Sequence, residues 1–268
     1  TMTFEDLKRI KSESERVSKL YELFNEEKRL LGSKAGRVEF LTTLQYINAV
    51  LKKGDRILDI GAGTGAYSFY FDELGYEVTA VELADKNIEV FKSKMNETNK
   101  IELIQANALD LSCLQDKFFD VVLLFGPLYH LEKSADRDQA INEAKRLLKD
   151  EGALFISYIN HDIIHLTESD YNPNWFDGNT YDHVTFRIDN FPFVFFTLEE
   201  AREMILSKDL IIEKEIATDG LSELLAEKIN LMSDTAYSQY LAYHMATCED
   251  IHKLKATNHF LFQCRKSE

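Results

Sequence analysis

The chain has 268 residues, 45% of them hydrophobic and 12% aromatic, which supplies a packed globule and excludes wholesale disorder. Its 46 acidic against 31 basic residues give a formal charge of −15, a surface that repels phosphate backbones and argues against DNA as a partner. Cys113, Cys248 and Cys264 are odd in number and widely spaced, so neither a disulfide framework nor a zinc-ligand pair is indicated, and a reducing, cytoplasmic setting fits.

The first twenty residues lack an apolar core, so neither a signal peptide nor an anchor is expected there. The longest apolar runs, such as FPFVFF at 191–196, are far too short for a membrane span. Residues 4–31 read as helix, with Val17, Leu20, Leu23 and Phe24 at helical spacing, and 36–51 as a second helix striped by Phe40, Leu44, Ile47 and Leu51. The pattern then alternates. Strands are predicted at 56–60, 76–82, 101–105, 119–125 and 153–159, with helices near 66–74, 84–95 and 134–149. Continuous apolar strands separated by helices predict a mostly parallel sheet covered on both faces.

Two stretches interrupt the alternation. Residues 160–196 hold nine aromatics between Tyr171 and Phe196, together with Pro173 and Pro192, and end at a capping box of Thr197 and Glu200. A sixth strand at 210–216 is followed by a helical insert within 219–256, striped by Leu221, Leu224, Leu225 and Ile229, and a seventh strand is predicted at 259–265. The reading is a single α/β domain over 1–268, with an N-terminal helical cap (1–51) and inserts at 160–196 and 219–256 that form a lid or simply pack on the sheet.

The segment ILDIGAGTG at 57–65 carries the most chemistry. Asp59 near the end of a strand is followed by Gly61, Gly63 and Gly65 and then by a helix, the place where open α/β sheets bind ligands. Glu82 ends the next strand, where a carboxylate can accept both hydroxyls of a ribose. Either NAD or S-adenosylmethionine would suit these features. Asp59 can hold a cationic amino group, and no second mononucleotide half with its own glycine turn follows, which favours the sulfonium compound.

These segments resemble the class I S-adenosylmethionine-dependent methyltransferases, nearest in flavour to the small-molecule, quinone-biosynthesis-like group. ILDIGAGTG looks like their first motif, VTAVEL like the second, QANAL at 105–109 like the third, FDVVLLFGPLYHL at 119–131 like the fourth, and EAKRLLKDEGALFISYI at 143–159 like the helix–turn–strand after it. The resemblance implies a Rossmann-like seven-stranded sheet whose last strand runs antiparallel between the fifth and sixth. It places Asp59, Gly61, Ala62, Gly63 and Gly65 around the methionine part of the cofactor, Glu82 on the ribose and Leu83 beside the adenine. Asn107, standing where an acidic residue is usual, and the N–H of Ala108 would meet the adenine edge. S-adenosyl-L-homocysteine would be the product and a small molecule the methyl acceptor.

In the fourth motif, Phe125, Gly126 and Pro127 are expected to wall the reacting methyl, with Tyr129 orienting substrate and His130 as a general base or a structural, backbone-bonded histidine. Tyr21, Glu26 and Arg29 lie where N-terminal helices close over the cofactor in this family, Tyr21 being the expected contact. His161, Asp162 and His165 follow the fifth strand, as pocket residues, as a two-histidine metal pair without an evident third ligand, or as solvated loop. A homodimer stays open as an assembly, and an NAD-dependent oxidoreductase and a non-catalytic S-adenosylmethionine-binding module stand as alternatives.

Overall fold

The structure is a computed structural model, and it describes residues 6, 7, 9–12, 15, 16, 19, 20, 26–188 and 191–267. The predicted helix over 4–31 is not continuous, because residues 10–12 are non-helical; its last turns form α1 (Glu26–Leu31). Helix α2 (Lys34–Val50) starts two residues earlier than the apolar stripe suggests, since the Ser33 hydroxyl accepts from the Gly36 N–H and caps it.

The α/β alternation follows as β1 (Arg56–Ile60), α3 (Ala66–Glu73), β2 (Glu77–Glu82), α4 (Asp85–Lys94), β3 (Glu102–Gln105) and β4 (Phe119–Leu124). Next come α5 (Pro127–His130), α6 (Ser134–Leu147), β5 (Leu148–Ile159) and α7 (His161–Tyr171), with a 3-10 turn at Trp175–Asp177. The chain continues through α8 (Leu198–Leu206), β6 (Leu210–Ala217), α9 (Ala226–Asn230), α10 (Asp234–Thr247), α11 (Ile251–Ala256) and β7 (His259–Lys266). The strands form one seven-stranded sheet in the order β3-β2-β1-β4-β5-β7-β6. Pairings from β3 to β5 are parallel, and β7 runs antiparallel to both β5 and β6, as the resemblance implies. The antiparallel β7 stands beside β5, where a dinucleotide fold would place its sixth parallel strand.

The central strands are buried on both faces, so Ile57, Leu58, Val122, Leu123, Leu154 and Ile156 pack into one core with Phe71, Phe91, Leu128 and Phe260. A smaller second core of Ile159, Ile164, Trp175, Tyr181, Ile188 and Phe195 gathers the aromatic insert above the end of β5. The capping box opens α8: Thr197 Oγ1 accepts from Glu200 N at 3.2 Å, and Glu200 Oε2 accepts from Thr197 N at 2.9 Å. The insert after β6 braces the cap, because Asn230 Oδ1 accepts from Ala35 N, Met232 O accepts from Lys34 Nζ, and the Tyr237 hydroxyl donates to Lys34 O. Among the described residues no helix is long and apolar enough to cross a membrane.

Candidate active site

The glycine turn folds back onto β2, with the N–H groups of Gly61 and Ala62 both donating to Val81 O at 2.9 and 3.0 Å. Gly61, Gly63 and Gly65 have φ of +81, +57 and +90°, a left-handed path that a β-carbon opposes. At Gly61 a β-carbon would also lie 2.6 Å from Phe125 O and 2.7 Å from Pro127 Cδ, whereas at Gly63 it would meet nothing within 4 Å. Asp59 lies on β1 just before this turn, 1% exposed, and accepts from the Ser68 hydroxyl of α3 at 2.7 Å. Burial lifts its carboxyl to about 6; the Ser68 hydrogen bond works against the rise and nearby Glu82 adds to it.

Asp59 and the turn open into a cleft that runs under the cap. Its walls take Glu27 and Leu30 from α1, Glu39 and Thr43 from α2, Thr64 and Ala66 beside the turn, and Tyr67 from α3. Phe125, Tyr129, Ser157 of β5 and Leu261 of β7 complete it. Glu27 ties the cap to the turn, accepting from Thr64 Oγ1 at 3.2 Å and from Lys94 Nζ at 3.1 Å. Glu39 is gripped by Arg29, whose two terminal nitrogens reach its two oxygens at 2.5 and 3.3 Å.

Behind Glu39 lies His259, whose Nδ1 is 2.6 Å from Asp219 Oδ2 and 3.6 Å from Glu39 Oε2. Burial opposes charge on this imidazole, but the carboxylates of Glu39 and Asp219 outweigh it and lift the ring to about 9, so it is a cation at neutral pH. Glu39, Asp219 and His259 are ligand types that hold divalent cations, and their atoms lie within 4.8 Å of one another. These groups already have protein partners: Arg29 makes one contact to each oxygen of Glu39, and Thr257 Oγ1, His259 N and His259 Nδ1 all address Asp219.

Of the residues expected at the site, Asp59, Gly61, Ala62, Gly63, Phe125 and Tyr129 line this cleft, and Gly65, Glu82, Leu83, Asn107, Ala108 and His130 do not. Gly65 caps α3, its φ of +90° and the rings of Phe91 and Phe69 leaving no room for a side chain. Glu82 is buried, and its oxygens already accept from the N–H groups of Gly63, Leu83 and Ala84 at 2.7–2.9 Å. Burial raises its carboxyl despite those three bonds. Glu82 thus serves the glycine turn through the Gly63 N–H from its place at the end of β2. Asn107 Oδ1 likewise accepts from Leu109 N at 3.0 Å in an Asx turn.

His130 is buried at the end of α5, its ring 5.4 Å from Phe193 and 5.1 Å from Tyr129, outside the cleft wall where a general base would stand. Tyr21 lies outside the described residues. Glu26 opens α1, and Arg29 acts on Glu39.

The comparisons with known proteins agree with this architecture. The profile of the methyltransferase-domain family matches residues 58–156, from β1 through β5. Over that stretch the chain is similar to methyltransferase domains. The chain is 35% identical over 133 residues to the ubiquinone/menaquinone biosynthesis C-methyltransferase of Francisella tularensis subsp. holarctica, 46% of this chain and 50% of that one. It is 34% identical over 119 residues to the ubiquinone biosynthesis O-methyltransferase of Xanthomonas oryzae pv. oryzae, 44% of this chain and 48% of that one. The chain thus spans about half the length of the curated relatives it matches. Among solved structures, a SAM-dependent methyltransferase of Methanosarcina mazei shares the fold, with a TM-score of 0.56 at 19% identity over 83% of this chain and 97% of that one.

Outside the matched stretch, the cap supplies wall residues that sequence reading missed: Glu27, Leu30, Glu39 and Thr43. Glu39 and Thr43 are one helical turn apart on the buried side of α2, and a charge on an otherwise apolar face was the available signal. Ser157 and Leu261 carry no such signal; adjacency of β5 and β7 brings them together.

The aromatic insert closes over the domain's fourth motif, Val194 N donating to Tyr129 O at 2.8 Å. His161 and His165 are not solvated loop residues but lie on α7, and both bind within the insert. Trp175 Nε1 donates to His165 Nδ1 at 3.0 Å, so the other nitrogen carries the proton toward Phe186 O, 2.6 Å away. His161 Nε2 accepts from Ile188 N at 3.2 Å. Neither ring presents a pair of free nitrogens to a metal. Burial, with Arg187 and His165 nearby, pushes His161 below its ordinary value, against the weaker pull of Glu200 and Asp162. A lowered imidazole means that the folded state resists the proton; its contribution to stability is intact above about pH 6.5 and declines as pH falls below it. The insert is expected to loosen on acidification, read by the fluorescence of Trp175, the chain's only tryptophan, before far-UV signal is lost. A Trp175 signal that changes only together with global unfolding would contradict this.

Proposed function

We propose that this protein transfers the methyl group of S-adenosylmethionine to a small-molecule acceptor held in the cleft, releasing S-adenosylhomocysteine. The observation that carries the reading is Asp59: a fully buried carboxylate at the cleft whose hydrogen-bond partner, among the described residues, is the neutral Ser68 hydroxyl and no cation. Such a group fits the ammonium of the donor's methionine moiety, beside a turn whose middle glycine leaves open space. The bound donor supplies an already activated methyl on a sulfonium.

The chain's own residues then have to orient and exclude water. Asp59 fixes the amino end, and Phe125 and Tyr67, with ring centroids 5.1 Å apart, form a dry wall with Tyr129. Glu82 keeps the turn in shape through the Gly63 N–H and has lone-pair capacity left for one ribose hydroxyl. The cap, tied down by Glu27, and the aromatic insert, tied to Tyr129, enclose the acceptor. The quinone-biosynthesis relatives support an acceptor of metabolite size, and the cysteine pattern supports a cytoplasmic setting.

Calorimetric titration with S-adenosylhomocysteine tests the donor site. The wild-type protein is expected to bind, and Glu82→Ala to bind at least about tenfold more weakly, through loss of both the turn contact and the ribose contact. Labelled donor incubated with a metabolite extract is expected to yield labelled small-molecule product. A wild-type protein that binds no donor would overturn the reading.

A further inference from the structure

The lining of the cleft speaks to what the acceptor is, and this step rests on the methyl-transfer reading above. Three charged residues line it, Glu27, Glu39 and Asp59, and among the described residues no lysine, arginine or histidine does. Glu27 is engaged by Lys94 and Thr64, and Asp59 answers the donor's amino group. Glu39 remains for the acceptor. It is 8% exposed, its orientation is fixed by the forked contact from Arg29, and the His259–Asp219 pair stands behind it. A carboxylate offers about four lone-pair positions, of which Arg29 uses two, so Glu39 retains capacity to accept from a ligand.

We propose that Glu39 is the acceptor-binding residue of the cleft and that the acceptor is a small amine without an anionic group, its N–H donated to the Glu39 carboxylate. An acceptor bearing a carboxylate or phosphate would enter a part-buried site whose charged lining, among the described residues, is all carboxylate, an uncompensated desolvation. The reaction also fits. An amine attacks with its lone pair, forming the N–C bond as the methyl C–S bond breaks and its electron pair returns to sulfur. The proton is then lost to water from the methylated ammonium, so no base has to act during the attack. An alcohol or phenol must give up its proton to become a good nucleophile, and His130, the residue expected to take it, lies outside the cleft wall. The aromatic side chains of Tyr67, Phe125 and Tyr129 along the cleft suit the cationic product. Arg29 and His259 act through Glu39 and are positioning residues.

The test is methylation by the full-length protein at saturating S-adenosylmethionine of skeleton-matched small amines, alcohols and carboxylates, benzylamine, benzyl alcohol and benzoate among them, with products read by mass spectrometry. Methylated products are expected from the amine arm alone, with kcat/KM rising with pH as the free amine becomes available. Glu39→Gln is expected to raise KM for the amine at least about tenfold while S-adenosylhomocysteine affinity by calorimetry stays unchanged, and Glu39→Asp to recover part of the loss. Methylation in the alcohol or carboxylate arm, amine turnover indifferent to Glu39→Gln, or donor binding without product from any amine would overturn the proposal. Should Glu39→Gln fail to fold, the three arms with wild-type protein still decide it. Failure of the wild-type protein to bind donor would fall on the methyl-transfer reading instead.

Discussion

Replacing Asp59 by Asn is expected to make the ligand-free protein more stable and the donor-bound protein harder to form. In the folded chain the Asp59 carboxyl sits at about 6 against an ordinary value of 3.8. The folded state therefore holds that proton more tightly than the unfolded chain. The group costs nothing below about pH 4, and its cost grows as pH rises toward 6 and is complete above it. Two pH units correspond to about 3 kcal/mol, and about 2 kcal/mol of gain is expected from Asn at pH 7 once the weaker hydrogen bond from Ser68 is allowed for. The gain should disappear near pH 4. Binding moves the other way: a neutral amide loses the pairing with the donor's ammonium, and affinity should fall at least tenfold, about 1.4 kcal/mol or more. In the wild-type protein, affinity should itself weaken as pH drops through about 6. Urea midpoints across pH together with calorimetry check both halves; a variant less stable at pH 7 with unchanged affinity would remove Asp59 from the site.

Gly61→Ala should damage the protein far more than Gly63→Ala, although both glycines have positive φ and stand two residues apart. Left-handed backbone costs a side-chain-bearing residue roughly 1–2 kcal/mol at either position. At Gly61 the added carbon also runs into the Phe125 carbonyl and the Pro127 ring, backbone and a rigid ring that cannot rotate away. Overpacking of that kind adds about 1–3 kcal/mol, for a total near 4 kcal/mol, and it pushes apart the first and fourth motifs that form the cleft. At Gly63 the carbon meets open space, so only the backbone strain remains. Denaturant unfolding of the two variants gives the comparison directly; equal losses would mean that the close approach of β1 and α5 at this turn is not as described.

The likeness to methyltransferase domains was legible in one dimension because the features that carry it are local. Apolar runs of strand length, glycines after β1 and an acidic residue ending β2 are properties of segments, set by backbone sterics and by burial on both faces. Glu82 shows where that legibility stops. Its place at the end of β2 was readable, but its engagement by three backbone N–H groups depends on how the glycine turn folds over it. His130 was equally readable as part of a motif, and only the fold brings Phe193, from an insert more than sixty residues later, to within 5.4 Å of its ring.

The amino-acid sequence alone determined the alternation of strands and helices, the glycine turn with Asp59 before it, and the resemblance from which the antiparallel last strand follows. The tertiary structure alone decided what stands around the acceptor. Glu39, Asp219 and His259 come from α2, the stretch after β6 and β7, separated by up to 220 residues, and meet because β7 inserts between β5 and β6 beneath the cap. Local propensity carries no record of such neighbours. Charge pairing in a buried cluster is a property of distance in space, and that distance is fixed only when the sheet closes and the cap is laid across it.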